Sequence, residues 1–485
     1  MTNRVNSFRK VLTNTPMYTL GDIVQRGIGI LLLPLYTRYL ETSEYGAAIL
    51  ANVLAGFVEI AFSFHLRTCL VRFAHDAPDD KEYLGRLYGT VFGFVTLLSA
   101  VLLLASIPLV LPVIGFIGIS EFWIPYVYLT LLLGATSSFF RMLQRVMQAD
   151  QNAKTYVIQQ WAFLLLGSGT TIILMVQFSL GGLSIVIGAT VASVSFFFYT
   201  WVYLFWRYNL VIDRSLLRDC LAYSLPLLPN GVGGALPRIT DRIFLSSVSV
   251  GVAGVYSAGY RFGEALSYLT GGFFTAHLPW FYSSMGEGES GRKQIVHVGK
   301  RAVLVVSVLA LFFALFAEEA INFLLGVAYH ESWKVVPLAA FYVVFNVLKD
   351  FWLKPLTYKK SSTRYVPVTT YTFALLSILF TAWMVPIFGM MGAAGAILIA
   401  RFLSSFIMLY FSLKQERVGY PIGEMYGIAI GMFFLSLVAY LPVTGLFYIK
   451  LTLAVGVTAL TLSVCREECR QIVQVLRRRV ATLSS

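Results

Sequence analysis

Long apolar runs alternate with short polar connections along almost the whole chain. A transmembrane helix needs about 20 mostly apolar residues, and runs of that length recur from Met17 to Val464. None shows the two-residue alternation of a membrane β-strand. The pattern predicts an all-α polytopic membrane protein with about fourteen spans. We place these at 17–39, 45–64, 87–112, 122–143, 155–176, 182–205, 218–247, 251–283, 301–317, 334–356, 366–387, 390–413, 424–445 and 447–464.

The composition supports a membrane protein. Hydrophobic residues make up 58% of the 485 positions and charged residues 13%, about half the charged share of a soluble domain. The first apolar stretch runs to Tyr39, which is longer than a signal-peptide core, so we expect a permanent first span. We expect no metal site and no disulfide from the four cysteines, which lie in or near the cytoplasm in the topology below.

Lysine and arginine residues are concentrated at alternate connections. Of the 37, 28 lie in or beside the N-terminal segment, the connections that follow even-numbered spans, and the C-terminal segment. Only Arg38, Lys334 and Lys450 lie at the other seven connections, and six lie within spans. Positive residues are retained on the cytoplasmic side. The pattern therefore predicts an inner-membrane protein with an even number of spans and two cytoplasmic termini. The net charge of +13 is mostly this topology signal and not a nucleic-acid surface.

This topology divides the chain into five segments: a cytoplasmic tail (1–16), a first six-span lobe (17–205), a second six-span lobe (206–419), two further spans (420–464) and a basic cytoplasmic tail (465–485). Segments 39–47 and 244–256 are similar, since each is a tight outward turn that leads to a glycine at the head of the next helix. They favour two lobes related by a parallel pseudo-twofold axis. The last two spans lie outside that repeat and carry little charge, as accessory lipid-facing helices would.

Ionisable residues inside spans are costly in lipid, so each is a candidate for function. The cations are Arg26, Arg238, Arg242, Arg261, Lys349 and Arg401, and the acids are Asp22, Glu59, Asp241, Glu264 and Asp350. Spacing of three or four residues allows Asp22 with Arg26, Arg238 with Asp241, and Arg261 with Glu264 to pair within a helix.

Arg401 has no acid nearby on its helix, and Arg238 and Arg242 share one acid. These three are the better candidates to hold an anionic group, since the planar guanidinium matches phosphate oxygens. Asp22, Glu59 and Asp241 are candidate sites for a coupling H⁺ or Na⁺. Pro226, Pro229 and Gly231 predict a broken helix that acts as a hinge. The chain has no phosphate-binding loop and hence no ATPase of its own.

Several segments resemble the polysaccharide transport family, the O-antigen flippases. They are Pro34–Leu40 followed by Tyr45-Gly46, Tyr223–Pro229 leading into Asp241-Arg242 and Gly254–Ser257, and Val385–Ala396. The resemblance covers spans 1 to 12 in order. It implies the multidrug/oligosaccharidyl-lipid/polysaccharide exporter fold, with two six-helix lobes, a central cavity and alternating access.

The resemblance also implies a function. The substrate would be an undecaprenyl-pyrophosphate-linked oligosaccharide, an O-antigen or exopolysaccharide repeat unit of the lipopolysaccharide type, moved from the cytoplasmic to the outer leaflet. By position, Arg26, Arg242, Arg261 and Arg401 would hold its anionic headgroup. Membrane lipids and other polysaccharide-assembly membrane proteins are the expected partners, and we expect neither enzymatic activity nor a cofactor besides a coupling ion. Two alternatives stay open: a drug/cation antiporter of the same superfamily, and an integral-membrane glycan enzyme such as a polymerase.

Overall fold

All regular structure in the described part of the chain is helical. The computed structural model describes residues 27–464 apart from 77–79, 118–120, 151, 360, 361, 363, 416, 443 and 444, and no strand occurs in that range. Residues 27–31 are helical and precede the first numbered helix. The numbered helices are α1 Leu33–Tyr39, α2 Thr42–Ser63, α3 Arg67–Ala74, α4 Lys81–Ile117, α5 Ile124–Ala149, α6 Ala153–Val176, α7 Leu183–Arg207, α8 Arg214–Ser224, α9 Leu228–Val248, α10 Val250–Glu264, α11 Leu266–Gly286, α12 Glu289–Leu315, α13 Ala317–Leu324, α14 Val336–Tyr358, α15 Tyr365–Gln415, α16 Ile422–Ser436 and α17 Leu446–Val464. The all-α prediction is confirmed.

Ten helical segments of the described chain are long and apolar enough to cross a membrane. One of them, α15, comprises two helices joined at Gly389, whose positive φ of 55° breaks the helix between predicted spans 11 and 12. The ten segments account for predicted spans 2 to 6 and 9 to 14. Span 1 is described only from Gly27, and spans 7 and 8 correspond to the shorter or more polar helices α8 to α11. A polytopic membrane fold is thus present, while the number fourteen stays a prediction.

The described residues form two compact units. The first contains the chain up to Ser257 together with Ser377–Ala393, and the second contains Ala258–Leu376 and the residues from Ala394 onward. In the first unit α5 packs against α2 and α7, and α6 also packs against α7. In the second, α12 packs against α14 and α16. The lobe boundaries given above stay predictions.

Predicted span 13 belongs to the packed interior of the second unit. Met425, Tyr426 and Ala429 of α16 join the buried cluster around Phe351 and Trp352. This is closer packing than an accessory lipid-facing helix needs, since a buried core residue is held by many neighbours.

Lys450 lies near the start of α17, which begins at Leu446. Its side chain is 1% exposed, and its Nζ lies 2.9 Å from Oε1 of Glu319 and 3.5 Å from Oε2 of Glu318. Lys450 is thus buried and paired near the start of α17, and its place on the outer side stays a prediction. A buried ammonium needs an acidic partner, and α13 supplies two.

The glycine-headed turns that suggested a repeat contact each other within the first unit. A Cβ atom on Gly46 of α2 would lie 2.1 Å from the carbonyl oxygen of Val250, and one on Gly254 of α10 would lie 2.0 Å from that of Thr42. Real side chains do not approach so closely, and so both positions need glycine. The similar segments thus mark a backbone crossing, whereas the pseudo-twofold relation stays a prediction.

The helix break expected from the proline and glycine cluster is present. Predicted span 7 is not one helix, because a 3-10 turn at Leu225–Leu227, which contains Pro226, separates α8 from α9. Pro229 follows in the first turn of α9, where its missing N–H leaves no hydrogen bond unmade. The hinge role of Pro226, Pro229 and Gly231 stays a prediction.

Candidate functional site

A polar cavity of about 610 Å³ opens within the first unit. Its walls come from α2, α3, α5, α6 and α7, and its volume falls in the range of about 300–1,000 Å³ that is usual for ligand sites. Its lining residues are Asn52, Ala55, Gly56, Arg67, Leu133, Ser137, Phe140, Arg141, Gln144, Arg145, Gln148, Tyr156, Gln160, Phe163 and Ala189.

Three arginines give this cavity its charge. Arg141 and Arg145 lie one turn apart on α5, and Arg67 is the first residue of α3. The buried carboxylate of Glu59 lies between two of them, with Oε2 2.8 Å from Nε of Arg141 and Oε1 3.4 Å from Nη1 of Arg67. One carboxylate against three guanidinium groups leaves a formal charge of +2 in the cavity, which suits an anionic ligand.

Amide side chains line the wall beside the arginines. Gln148 accepts a hydrogen bond of 2.7 Å from Nη1 of Arg145, and Nε2 of Gln144 donates to Oε1 of Gln159 at 3.1 Å. The Oε1 atom of Gln144 is buried and accepts no hydrogen bond from the described residues. Amides and arginines together resemble the polar groups that bind sugar hydroxyls and phosphates, because they offer several donors and acceptors in fixed directions.

His65 lies close to the cavity in an unusual backbone conformation. Phe64 and His65 both have positive φ, 44° and 57°, at the end of α2. A Cβ atom on Gly231 of α9 would lie 2.9 Å from the His65 ring, so this glycine allows α9 to contact the turn. Burial lowers the pKa of His65, and the positive charges of Arg67 and Arg145 lower it further. The lowered pKa favours the neutral imidazole over the charged form beside these two arginines.

Asp241 forms an ion pair and a hydrogen bond with residues of the first unit. Asp241 is fully buried, both its carboxylate oxygens lie 3.1 Å from Nη1 of Arg242, and its Oδ2 accepts a 2.6 Å hydrogen bond from the Tyr256 hydroxyl. The network fastens α9 to α10. Asp241 therefore pairs with Arg242, and not with Arg238 as the spacing suggested, and Arg238 has no ion pair with any described residue.

Arg401 stacks on aromatic rings in the second unit. Its guanidinium lies 3.5 Å from the centroid of the Phe373 ring and 5.3 Å from that of Tyr342, and its Nη2 donates to the Tyr342 hydroxyl at 3.2 Å. Its Nε is buried without a hydrogen-bond partner in the described chain. No ion pair joins Arg261 to Glu264 there, whereas Lys349 pairs with Asp350 at 2.5 Å.

The remaining residues singled out in the sequence are not part of these contacts. Arg26 and Asp22 lie outside the described residues, as do Cys465 and Cys469. Cys69 and Cys220 are buried free thiols. Among the described residues no three His, Cys, Asp or Glu side chains are grouped as metal ligands. The roles assigned to Arg26, Arg238, Arg242, Arg261 and Arg401 stay predictions.

The cavity was not predicted from the sequence, because Arg67, Arg141 and Arg145 were counted only among the cations expected on the cytoplasmic side. A second signal was present in the four-residue spacings of Arg141 with Arg145 and of Gln144 with Gln148. Residues four apart share a helix face, and so this pattern indicates a polar stripe at the end of a span.

Comparisons with known proteins agree with this architecture. Residues 11–285, more than half of the chain, match the family model described as polysaccharide biosynthesis protein. Protein 1 of the Lsg locus of Haemophilus influenzae is 21% identical over 324 residues, which cover 65% of this chain and 77% of that protein.

Three solved structures of transport proteins are similar to this chain. The lipid II flippase MurJ in an inward closed conformation has a TM-score of 0.67 and 16% identity, over 93% of this chain and 99% of its own. An inward-facing multidrug resistance MATE transporter has a TM-score of 0.59 and 13% identity, over 85% and 95%. The Vibrio cholerae MATE transporter VcmN gives 0.57 and 14%, over 86% and 99%. These similarities establish the fold.

Proposed function

The chain belongs to the polysaccharide biosynthesis protein family, and on this premise we propose that it is a flippase for a lipid-linked saccharide. The substrate we propose is an undecaprenyl-pyrophosphate-linked oligosaccharide, an O-antigen or exopolysaccharide repeat unit. The protein moves it from the cytoplasmic to the outer leaflet of the inner membrane. Family membership and the fold shared with a lipid II flippase support this proposal.

The arginine-lined cavity is the observation that carries the proposal. A diphosphate presents several oxygens at once, and a guanidinium group binds two of them with parallel hydrogen bonds. Arg145 is not engaged by Glu59, and about half of the Arg141 side chain is exposed, so both are available to a ligand. The side-chain amides of Gln144 and Gln148 in the same wall then form hydrogen bonds with the sugar hydroxyls.

The cavity lies near the cytoplasmic ends of its helices in the predicted topology. It is therefore placed to receive a headgroup that is assembled in the cytoplasm, while the lipid tail stays in the bilayer. Alternating access then exposes the headgroup to the other side. Two changes in helix geometry lie in the same unit as the cavity. One is the positive-φ turn at Phe64 and His65, and the other is the break at Leu225–Leu227, which follows Ser224, whose hydroxyl lies 3.4 Å from that of Thr68 in α3.

The two alternatives fit less well. A drug/cation antiporter shares the fold, but three arginines with one carboxylate repel a cationic drug. A polymerase needs a catalytic site for glycans, and the longest predicted outer connection, 317–333, is occupied by the short helix α13 and a 3-10 segment. Resistance to cationic dyes on overexpression favours the first, and glycan polymerisation by the purified protein favours the second.

The deciding experiment measures lipid-linked glycan in each leaflet of cells that lack the protein. We expect accumulation in the inner leaflet, relieved by the wild type. Arg141→Gln and Arg145→Gln each remove a charged hydrogen-bond donor worth about 1.5–3 kcal/mol, so each slows translocation by about 10- to 150-fold.

Arg218→Gln is the matched control, because Arg218 is an exposed arginine of α8 outside the cavity. It should translocate like the wild type. Arg242→Ala and Arg401→Ala test the sequence-based sites in the same assay. Normal leaflet distribution in cells without the protein contradicts the flippase proposal, and wild-type rates in both cavity variants would refute the cavity as its binding site.

A further inference from the structure

A lysine and a histidine are buried together in the second unit. Lys354 of α14 and His277 of α11 are each 5% exposed, and Nζ of Lys354 lies 2.5 Å from Nδ1 of His277. Lys354 is one of the cations counted beside the cytoplasmic connection after span 10. Helix α14 continues to Tyr358, so Lys354 lies near its end, where its side chain is buried.

Aromatic rings enclose this pair. The His277 ring lies 5.1 to 5.6 Å from the rings of Phe273, Trp280 and Phe351, and the ammonium of Lys354 lies 4.4 Å from the centroid of Phe274. Aromatic faces attract a cation but accept no conventional hydrogen bond. Nε2 of His277 is buried without a hydrogen-bond partner in the described chain. The hydrogen bond between Nζ of Lys354 and Nδ1 of His277 is therefore the polar contact that joins the two side chains.

The contact limits how many protons the pair holds. A hydrogen bond between two nitrogens needs one donor and one acceptor. A protonated lysine and a protonated imidazole are both donors only, so the 2.5 Å contact excludes the doubly protonated state. The pair carries at most one positive charge while the contact lasts, and a second proton forces the side chains apart.

No acid of the described residues forms an ion pair with His277 or Lys354, although the charge of Asp350 acts on Lys354. Asp350 lies one turn before Lys354, but its Oδ1 pairs with Lys349 at 2.5 Å and its Oδ2 accepts from Asn346 at 3.4 Å. Helix α12 packs against both α11 and α14 and carries these titratable or charged groups in its first half: Glu289, Arg292, Lys293, His297, Lys300 and Arg301. Lys300 pairs with Glu424. No ion pair or hydrogen bond of the described residues joins any of them to His277 or Lys354.

We propose that His277 and Lys354 form a proton-binding site that couples a proton gradient to the movement of α11 relative to α14. Entry of a second proton places two positive charges side by side in an apolar environment, where repulsion is strong. The helices then separate, and loss of that proton restores the contact. The proton-binding claim stands independently of the proposed function, whereas the coupling to transport rests on it.

The first test detects the shared proton directly, without substrate. Full-length protein with ¹⁵N-labelled histidine is placed in lipid nanodiscs, and solid-state NMR spectra are recorded at pH 7. His277→Gln identifies the His277 signals. We expect a neutral imidazole with a strongly hydrogen-bonded Nδ1 in the wild type. In Lys354→Met this hydrogen-bond shift disappears, and in Lys349→Met it persists, because Lys349 pairs with Asp350 and not with His277.

Two results would overturn the proton site. One is a wild-type His277 that is doubly protonated at pH 7, which needs no variant to observe. The other is an unchanged Nδ1 signal in Lys354→Met. Titration toward low pH should convert wild-type His277 to imidazolium and shift the signals of α11 residues in the same step.

The second test concerns coupling and uses the leaflet assay described above. Collapse of the proton gradient with an ionophore should slow glycan translocation by the wild type and by Lys349→Met. Lys354→Met and His277→Gln should be slow and insensitive to the ionophore. Sensitivity retained in both variants refutes the coupling. Absence of any wild-type translocation refutes the proposed function instead, and leaves the NMR result intact.

Discussion

At the scale of single residues, the cavity shows how neighbouring charges set the state of a histidine. His65 lies beside Arg67 and Arg145, and burial and these two charges lower its pKa. A base with a lowered pKa binds fewer protons in the folded protein than in the unfolded chain. Acidification from about pH 7, through the ordinary value of 6.5, therefore favours unfolding.

This reasoning predicts the pH dependence of stability at His65. We expect the apparent unfolding midpoint of the purified protein to fall less between pH 7 and pH 5 in His65→Asn than in the wild type. Asparagine tolerates the positive φ of this position. Arg145→Gln should also reduce the fall, because it removes a nearby positive charge. Equal falls in all three proteins, measured by thermal scanning in detergent, would contradict the assignment.

At the scale of helices, the crossing of α2 and α10 depends on the absence of side chains. Gly254→Ala places a methyl group 2.0 Å from the Thr42 carbonyl oxygen, and such overpacking costs about 1–3 kcal/mol or more. We expect a clear drop in the thermal unfolding midpoint. Gly234→Ala in α9 is the matched control, since no atom lies within 4 Å of its added Cβ. Alanine favours helix, and so this variant should be neutral or slightly more stable.

The helices themselves were predictable, and their partners were not. Apolar runs indicate spans because a backbone in lipid must satisfy its hydrogen bonds internally. The break at Pro226 followed from proline geometry. By contrast, Lys354 meets His277 across 77 positions, and Lys450 meets Glu319 across 131. No local pattern records such contacts. For Arg67, Arg141 and Arg145 the positive-inside pattern did not indicate a second role, because charges expected to orient the chain also line a cavity.

At the scale of the whole molecule, the distribution of lysine and arginine predicts which connections face the cytoplasm. In a variant whose four native cysteines are replaced, Gln177→Cys lies at an exposed position after α6, and Ser290→Cys lies at an exposed position near the start of α12. The predicted topology places the first outside and the second in the cytoplasm. A membrane-impermeant maleimide should label Gln177→Cys in intact cells and Ser290→Cys only in inverted vesicles. The reverse labelling pattern would contradict the predicted topology. The cavity would then open toward the outer side, against the proposed direction of transport.

The buried Lys450 has a consequence for the biosynthesis of the protein. Its partner Glu319 is translated 131 residues earlier. At about 5–20 residues per second, the ribosome needs about 7–26 s to supply the lysine. During that interval the two acids of α13 lack their counter-charge, and the second unit is incomplete. A nascent chain that stops short of α17 therefore keeps both carboxylates without the lysine that the finished chain places against them.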